Sequence, residues 1–350
     1  MKKLDKMTGY HQDIDPGLLS GIIEKIENSS IEKPGIVPLP GDASDRRYSR
    51  VSYTTKKGEQ KTVILMQLGE PSLSGEIPFE NVQKYLKKKK IPVPEIFYHN
   101  REKGLLVLED LGEMTMEERL KKENNLVRRE FYRRAIDILL NMQKESDKRE
   151  RDACIAYSLE FDVEKLMGEL DFFVKHMIEG LLRKKIGEAD RKKLEEGFLA
   201  VVAPLTEEKK VFTHRDYHSR NIMIREDALG IVDFQDARLG LCQYDLASLL
   251  RDSYLVLDEE LREDLIDYYI TGKEAFERTK IDRKKFMKLF DYMSIQRNLK
   301  AVGTFSYQSV CKKNPRYLEY IEDTLDYVRK NLGKYAELGE LKDLLFRCLE

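Results

Sequence analysis

Almost no net charge is left over in this chain: its 350 residues include 62 Lys or Arg and 63 Asp or Glu, for a formal charge of −1. So even a balance offers no global attraction for nucleic acid or an acidic membrane, and neither is expected as a partner. Long apolar runs are missing as well. No window approaches the roughly 18 uninterrupted apolar residues of a membrane helix, and Met1–Asp5 leads into polar residues rather than an apolar stretch. No secretory signal is readable, so a cytoplasmic, soluble protein is expected. Cysteines are few: Cys154, Cys242, Cys311 and Cys348 are widely separated and form no CxxC pair. That spacing argues against a disulfide framework or a zinc site and for plain reduced thiols. Low-complexity tracts and internal repeats are absent.

What is present is core-forming material. The chain is 41% hydrophobic, with 18 Tyr and 14 Phe, far from the composition of disorder. Its length suits about two domains or lobes. A short helix is predicted over about Asp13–Asn28, followed by a breaker-rich stretch with Pro34, Gly35, Pro38, Pro40 and Gly41. Arg47–Tyr53 and Thr62–Gln67 then read as a strand pair turning at Lys56-Lys57-Gly58. Phe79, Val82, Tyr85 and Leu86 have helical spacing, and Leu105–Leu108 is short enough for a buried strand. From Met116 onward the pattern becomes helical, over about Met116–Asp147, Asp162–Gly180, Glu188–Val201, Tyr244–Leu257, Glu259–Tyr269, Arg283–Phe305 and Pro315–Asn331. Only Val211–Thr213, Ile222–Ile224 and Ile231–Asp233 interrupt it with strand-like pieces. A strand-rich first part and a helix-rich second part predict an α+β chain with two lobes, residues 1–112 and 113–350.

The strand pieces surround the most informative stretch, T-H-R-D-Y-H-S-R-N-I-M-I-R-E-D-A-L-G-I-V-D-F-Q-D-A, running from Thr213 to Ala237. Transfer of a phosphoryl group from ATP needs one carboxylate to orient and deprotonate an acceptor hydroxyl, and separate oxygen ligands to hold Mg²⁺ on the phosphates. The spacing meets that need: a loop presenting Asp216, an amide at its end in Asn221, and a hairpin turning near Gly230 that returns Asp233 to Asn221. His214 reads as a prop for the loop, and His218 as positional. Asp236 is an accessory carboxylate candidate. Asp245 reads as the N-cap of the following helix.

Taken with Tyr244-Asp245-Leu246-Ala247-Ser248-Leu249-Leu250-Arg251-Asp252, these motifs resemble the aminoglycoside phosphotransferase and choline kinase superfamily. Gly41–Tyr48, Leu108–Gly112 and Gln296–Phe305 narrow the resemblance to bacterial anomeric kinases of N-acetylmuramate and N-acetylglucosamine. The resemblance spans about residues 36–330. It implies a protein-kinase-like fold, with a small antiparallel-sheet N-lobe and a larger, mainly helical C-lobe. It also implies ATP and Mg²⁺ as cofactors, Asp216 as catalytic base, Asn221 and Asp233 as metal ligands, and Glu109–Leu111 as a hinge holding adenine. It also makes Asp245 a buttress of the loop, which is compatible with the N-cap reading.

One departure stands out. Kinases of this fold carry a lysine in the third strand, yet Val63-Ile64-Leu65-Met66-Gln67 has Met66 there. The phosphates would instead meet backbone amides of Gly41–Asp45, the turn containing Ser44, and the guanidinium groups of Arg46 or Arg47. For the acceptor, Arg220, Arg251, Asp252, Arg297 and Lys300 are candidate contacts, each set against a solvated helix face. Phe172, Phe173 and Tyr254 read as core. The expected function is a kinase acting on a small-molecule sugar with no obligate protein partner, serving salvage of cell-wall sugars. A different hydroxyl acceptor such as choline, an aminoglycoside, homoserine or another hexose is the first alternative. A nucleotide-binding regulatory module without turnover is the second.

Overall fold

Lys56 and Lys57 sit in a tight turn that Gly58 completes at φ +81, and the strands on either side pair antiparallel from Arg47↔Gln67 to Thr54↔Gln60. The protein is described by a computed structural model over residues 15–39, 46–70, 75–145 and 147–350. The described residues fall into two compact units. One is built from residues up to Glu80 with Val93–Gly112, the other from Asn81–Pro92 and Glu113–Glu350.

The first unit holds α1 (Pro16–Glu27) and the strands β1 (Gly35–Pro38), β2 (Arg47–Thr54), β3 (Gln60–Gln67), β4 (Ile96–Asn100) and β5 (Leu105–Glu109). All neighbours pair antiparallel, in the order β1-β2-β3-β5-β4. Asp15 caps α1 by accepting from the Gly17 N–H. Leu19, Ile22 and Ile23 recur at helical spacing and pack on Val51, Tyr53, Val63, Leu65, Leu105 and Val107, which share one sheet face. Each such aliphatic side chain contributes about 1.5–3 kcal/mol on full burial. Met66 is wholly buried, so the third strand spends its lysine position on the core.

The second unit takes α2 (Pro78–Lys88) from Asn81 onward, then β6 (Met114–Thr115), α3 (Met116–Leu120), α4 (Asn125–Gln143), α5 (Lys148–Asp152), α6 (Val163–Phe173) and α7 (Glu188–Thr206). The predicted helix over Met116–Asp147 is in fact interrupted: Asn124 accepts from the N–H groups of Leu126 and Val127 and starts α4 afresh. Asp162 caps α6, which widens into a π-helical stretch over Val174–Leu181. Two small antiparallel sheets follow, made from β7 (Lys210–Thr213) with β10 (Arg238–Leu241), and from β6 with β8 (Ile222–Arg225) and β9 (Ala228–Ile231). The β8–β9 hairpin turns at Glu226 and Asp227, both at positive φ, and not near Gly230, which pairs with Met223 inside the ladder. Two consecutive left-handed residues match the twist of a two-residue hairpin, and Asp tolerates that conformation.

The rest is helical: α8 (Gln243–Leu250), α9 (Glu259–Glu277), α10 (Arg283–Val310), α11 (Ile321–Leu332) and α12 (Gly339–Leu349). The predicted helix over Tyr244–Leu257 ends at Leu250, because Asp252 bonds the Tyr254 N–H and Ser219 instead of continuing the ladder. Central to the packing is α10, which buries residues around most of its circumference. Gly303 lets it approach α6 closely, since a Cβ there would lie 2.8 Å from Cα of Phe173.

Candidate active site

The loop after β7 is pinned from beneath. Arg215 has φ +84, a conformation that costs a non-glycine residue about 1–3 kcal/mol, and Asp245 holds it. The Asp245 carboxylate accepts from the backbone N–H of His214 at 2.6 Å and of Arg215 at 3.0 Å. Asp245 is therefore not an N-cap: Cys242 takes that position and Asp245 lies in the first turn of α8. Burial pushes its carboxyl up despite these bonds. His214 is buried too and donates from Nε2 to the Val232 carbonyl at 3.0 Å, with burial holding its pKa down. Both residues brace the loop.

Asp216 follows, with its side chain 28% exposed and Oδ1 2.9 Å from the Lys300 ammonium. Arg297 comes within 3.8 Å of the same oxygen. It donates to the Arg215 carbonyl at 2.7 Å, the Tyr244 hydroxyl at 3.1 Å and the Ser248 hydroxyl at 2.6 Å. Burial alone would raise the Asp216 pKa, but Lys300, Arg297 and Arg215 outweigh it and hold the carboxyl well below the usual range. Lys300 is in turn held low by its own burial, against the pull of Asp216.

The hairpin brings the two remaining motif residues together. Ile222 pairs with Ile231 and the Val232 N–H donates to the Asn221 carbonyl, so Asp233 emerges beside Asn221. The Asn221 Nδ2 donates to the Asp216 carbonyl at 2.9 Å and lies 3.5 Å from Oδ2 of Asp233. Gln235 donates to Oδ1 of Asp233 at 2.8 Å, and Asp233 is itself left-handed at φ +65. Among the described residues no three His, Cys, Asp or Glu side chains gather as a metal-binding set. Mg²⁺ does not need one, because it binds through one or two protein oxygens together with nucleotide phosphates and water. The hard oxygens of Asn221 and Asp233 fit that ion.

Beside the loop lies a cleft of about 710 Å³ lined by Glu169, Phe172, Arg215, Arg238, Lys300 and Thr304 among others. Phe173 is core as expected, whereas Phe172 is half-buried and presents itself to this cleft. Asp236 is exposed, 3.6 Å from the Arg215 guanidinium.

Three of the predicted acceptor contacts are engaged elsewhere. Arg251 is buried over the Tyr327 ring and donates to Asn331. Asp252 accepts from the Ser219 N–H and hydroxyl and so supports the loop, and burial lifts its carboxyl to about 6. Arg220 pairs with Glu117 at 2.5 Å, donates to the Tyr320 hydroxyl at 2.9 Å and stacks 3.6 Å from the Tyr254 ring centroid. Tyr254 is thus a platform for Arg220. His218 meets the edge of the same ring, and burial pushes its pKa down to about 3.

In the first unit, Ser44 and the Gly41–Asp45 turn lie outside the described residues. Arg46 is half-buried and Arg47 exposed at the start of β2. Glu109 ends β5, bonding Glu95 through its backbone and carboxylate, with Leu111 two residues on. Arg50, which the sequence reading passed over, forms an ion pair of 2.7 Å with Asp110 and donates to the Gly112 carbonyl at 2.7 Å.

Residues 35–281 match the model of the phosphotransferase enzyme family. Among curated proteins, N-acetylmuramate/N-acetylglucosamine kinase of Neisseria meningitidis serogroup B is 29% identical over 313 residues, covering 87% of this chain and 87% of its own. The kinase of the same name from Pseudomonas aeruginosa is 28% identical, covering 89% and 87%. Among solved structures, a spectinomycin phosphotransferase in complex with ADP and spectinomycin matches with TM-score 0.56 at 11% identity, over 96% of this chain and 99% of that one. An ADP-bound aminoglycoside phosphotransferase matches with TM-score 0.56 at 13% identity, over 92% and 99%. At such identities these structures establish the fold, which is protein-kinase-like.

Proposed function

Because the chain belongs to the phosphotransferase enzyme family and is an ATP-dependent kinase, we propose that its acceptor is the anomeric hydroxyl of an N-acetylated amino sugar, N-acetylmuramate or N-acetylglucosamine. The observation that carries this reading is the Lys300–Asp216 contact at 2.9 Å. A carboxylate held so strongly in its ionised form is a weak base, and the more acidic the hydroxyl it serves, the smaller the mismatch in proton affinity between them. The anomeric hydroxyl is more acidic than an ordinary alcohol because the ring oxygen withdraws electrons from its carbon.

In this mechanism Asp216 accepts a hydrogen bond from the acceptor hydroxyl, aligns its oxygen, and takes the proton as the bond to phosphorus forms. Lys300 and Arg297 fix the carboxylate while it waits. Asn221 and Asp233 would hold Mg²⁺, which when bound neutralises charge on the nucleotide phosphates. Arg46, Arg47 and the Gly41–Asp45 turn would serve the phosphates in place of the lysine lost at Met66, and the Glu109–Leu111 backbone would serve adenine. Phe172 would cover the sugar ring. A cytoplasmic role in recovering cell-wall sugars follows from this acceptor. No helix of the described residues is long and apolar enough to cross a membrane.

The test is direct: incubate the protein with ATP, Mg²⁺ and a panel of N-acetylmuramate, N-acetylglucosamine, glucose, choline and kanamycin, and locate phosphate in the product by ³¹P and ¹H NMR. Coupling of phosphorus to the anomeric proton of an amino sugar is expected. Turnover confined to the amines, or phosphate at another sugar carbon, would overturn the proposal.

A further inference from the structure

The cleft beside the catalytic loop holds charges that are answered and charges that are not. Lys300 is paired with Asp216 at 2.9 Å, and Arg215 lies between Glu169 at 3.8 Å and Asp236 at 3.6 Å. Glu160 is paired with Lys210 at 2.9 Å. Arg238, in β10, is different. Its Nε donates to the Asp236 carbonyl at 3.3 Å and its guanidinium lies 5.1 Å from the Phe161 ring centroid, but it forms no ion pair with any described residue. Lys165, also in the cleft wall, has no carboxylate partner among the described residues either, and Glu164 beside it is exposed.

A half-buried guanidinium next to a second one is costly to hold without a counter-charge. Its planar fork is also built to take a carboxylate through two parallel bonds. Burial and the nearby Arg215 work against the charge on Arg238, and the fields of Tyr244, Asp236 and Glu169 offset them only in part. An anion supplied by the ligand would relieve both. The two amino sugars of the reading above differ in that respect: N-acetylmuramate carries a lactyl carboxylate and N-acetylglucosamine does not.

We propose that Arg238, assisted by Lys165, binds the carboxylate of an N-acetylmuramate acceptor and thereby sets the preference between the carboxylated and the neutral amino sugar. This inference rests on the amino-sugar reading. It adds a residue outside the phosphotransfer motif, on a strand that the sequence did not reveal.

The experiment compares kcat/KM for N-acetylmuramate, its methyl ester and N-acetylglucosamine in wild type, Arg238→Gln, Arg238→Lys and Lys165→Met. In Arg238→Gln the ratio of N-acetylmuramate to N-acetylglucosamine is expected to fall about tenfold or more, mostly through KM, which corresponds to about 1.4 kcal/mol. The discrimination between N-acetylmuramate and its ester is expected to vanish in the same variant. Arg238→Lys should recover part of the ratio, since a point charge replaces a fork, and Lys165→Met should lower it less. If Arg238→Gln does not fold, Arg238→Lys is decisive: its ratio should lie below wild type, and an unchanged ratio overturns the proposal. Equal losses on acid and ester overturn it too. A wild-type protein that phosphorylates neither sugar removes the amino-sugar reading and this inference with it. One that phosphorylates both, with an unmoved ratio, removes the inference alone.

Discussion

The ammonium of Lys300 meets the carboxylate of Asp216 across 84 residues of chain, at 2.9 Å. This contact sets the basicity of the residue that the proposed mechanism uses as base. Lys300→Met should let the Asp216 pKa rise, because the strongest opposing positive charge is gone while burial remains. The acid limb of the kcat profile should then move to higher pH. A limb that stays in place while kcat falls would make Lys300 a substrate contact rather than a setter of Asp216.

Asp216→Ala should abolish turnover while leaving ATP affinity nearly unchanged, and Asp233→Ala should abolish Mg²⁺-dependent nucleotide binding. Calorimetric titration of each variant with ATP, with and without Mg²⁺, separates the two roles. Retained wild-type activity in Asp216→Ala would end its assignment as base.

Asp245→Ala should destabilise the fold, because the backbone N–H groups of His214 and Arg215 lose their acceptor in a buried setting. Each orphaned donor costs about 1–3 kcal/mol. Urea unfolding measures the loss, and Asp245→Asn, which keeps one acceptor oxygen, should lose less. A variant as stable as wild type would mean that the loop holds its left-handed Arg215 by other means.

His218 should stay neutral in the folded protein over the physiological range, since burial takes it down to about 3. The unfolded chain binds a proton at about 6.5. Between those values the unfolded state carries the extra proton, so this group's contribution to stability is present above about 6.5 and is lost as pH falls toward 3. Imidazole shifts in NMR should be flat from neutral pH to well below 6, and a His218 titration near its ordinary value would contradict the burial.

Sequence reading reached furthest where one short segment carries the whole requirement. Asp216, Asn221 and Asp233 lie within one loop and one hairpin, so their spacing predicts their meeting, and backbone pairing across β8–β9 delivers it. Distant partners were harder. Lys300 was legible only as one of several charged helix residues, because its arrival at Asp216 depends on how α10 crosses the unit. Glu117 and Arg50 are invisible for the same reason, since each matters through a partner far away in sequence; Arg238 is invisible because no motif marks its strand. Asp245 supports the loop as the resemblance implies, and only its N-cap reading fails, because a short polar side chain ahead of an apolar run signals a cap as readily as a buttress. Arg251 and Asp252, read as solvated or substrate-facing, are buried and bonded inward, a case of tertiary context overriding the local charge pattern.

Gly303 lies three residues beyond Lys300 in α10, and the nearest obstacle to a side chain there is the Phe173 backbone at 2.8 Å, an atom that cannot swing aside. Even a methyl group would force the two helices apart and carry the lysine with them. The reach of a proton-accepting carboxylate to its governing cation is thus secured by a hydrogen atom at a crossing that no substrate touches. Tolerance to variation at that crossing should be as narrow as at the motif itself.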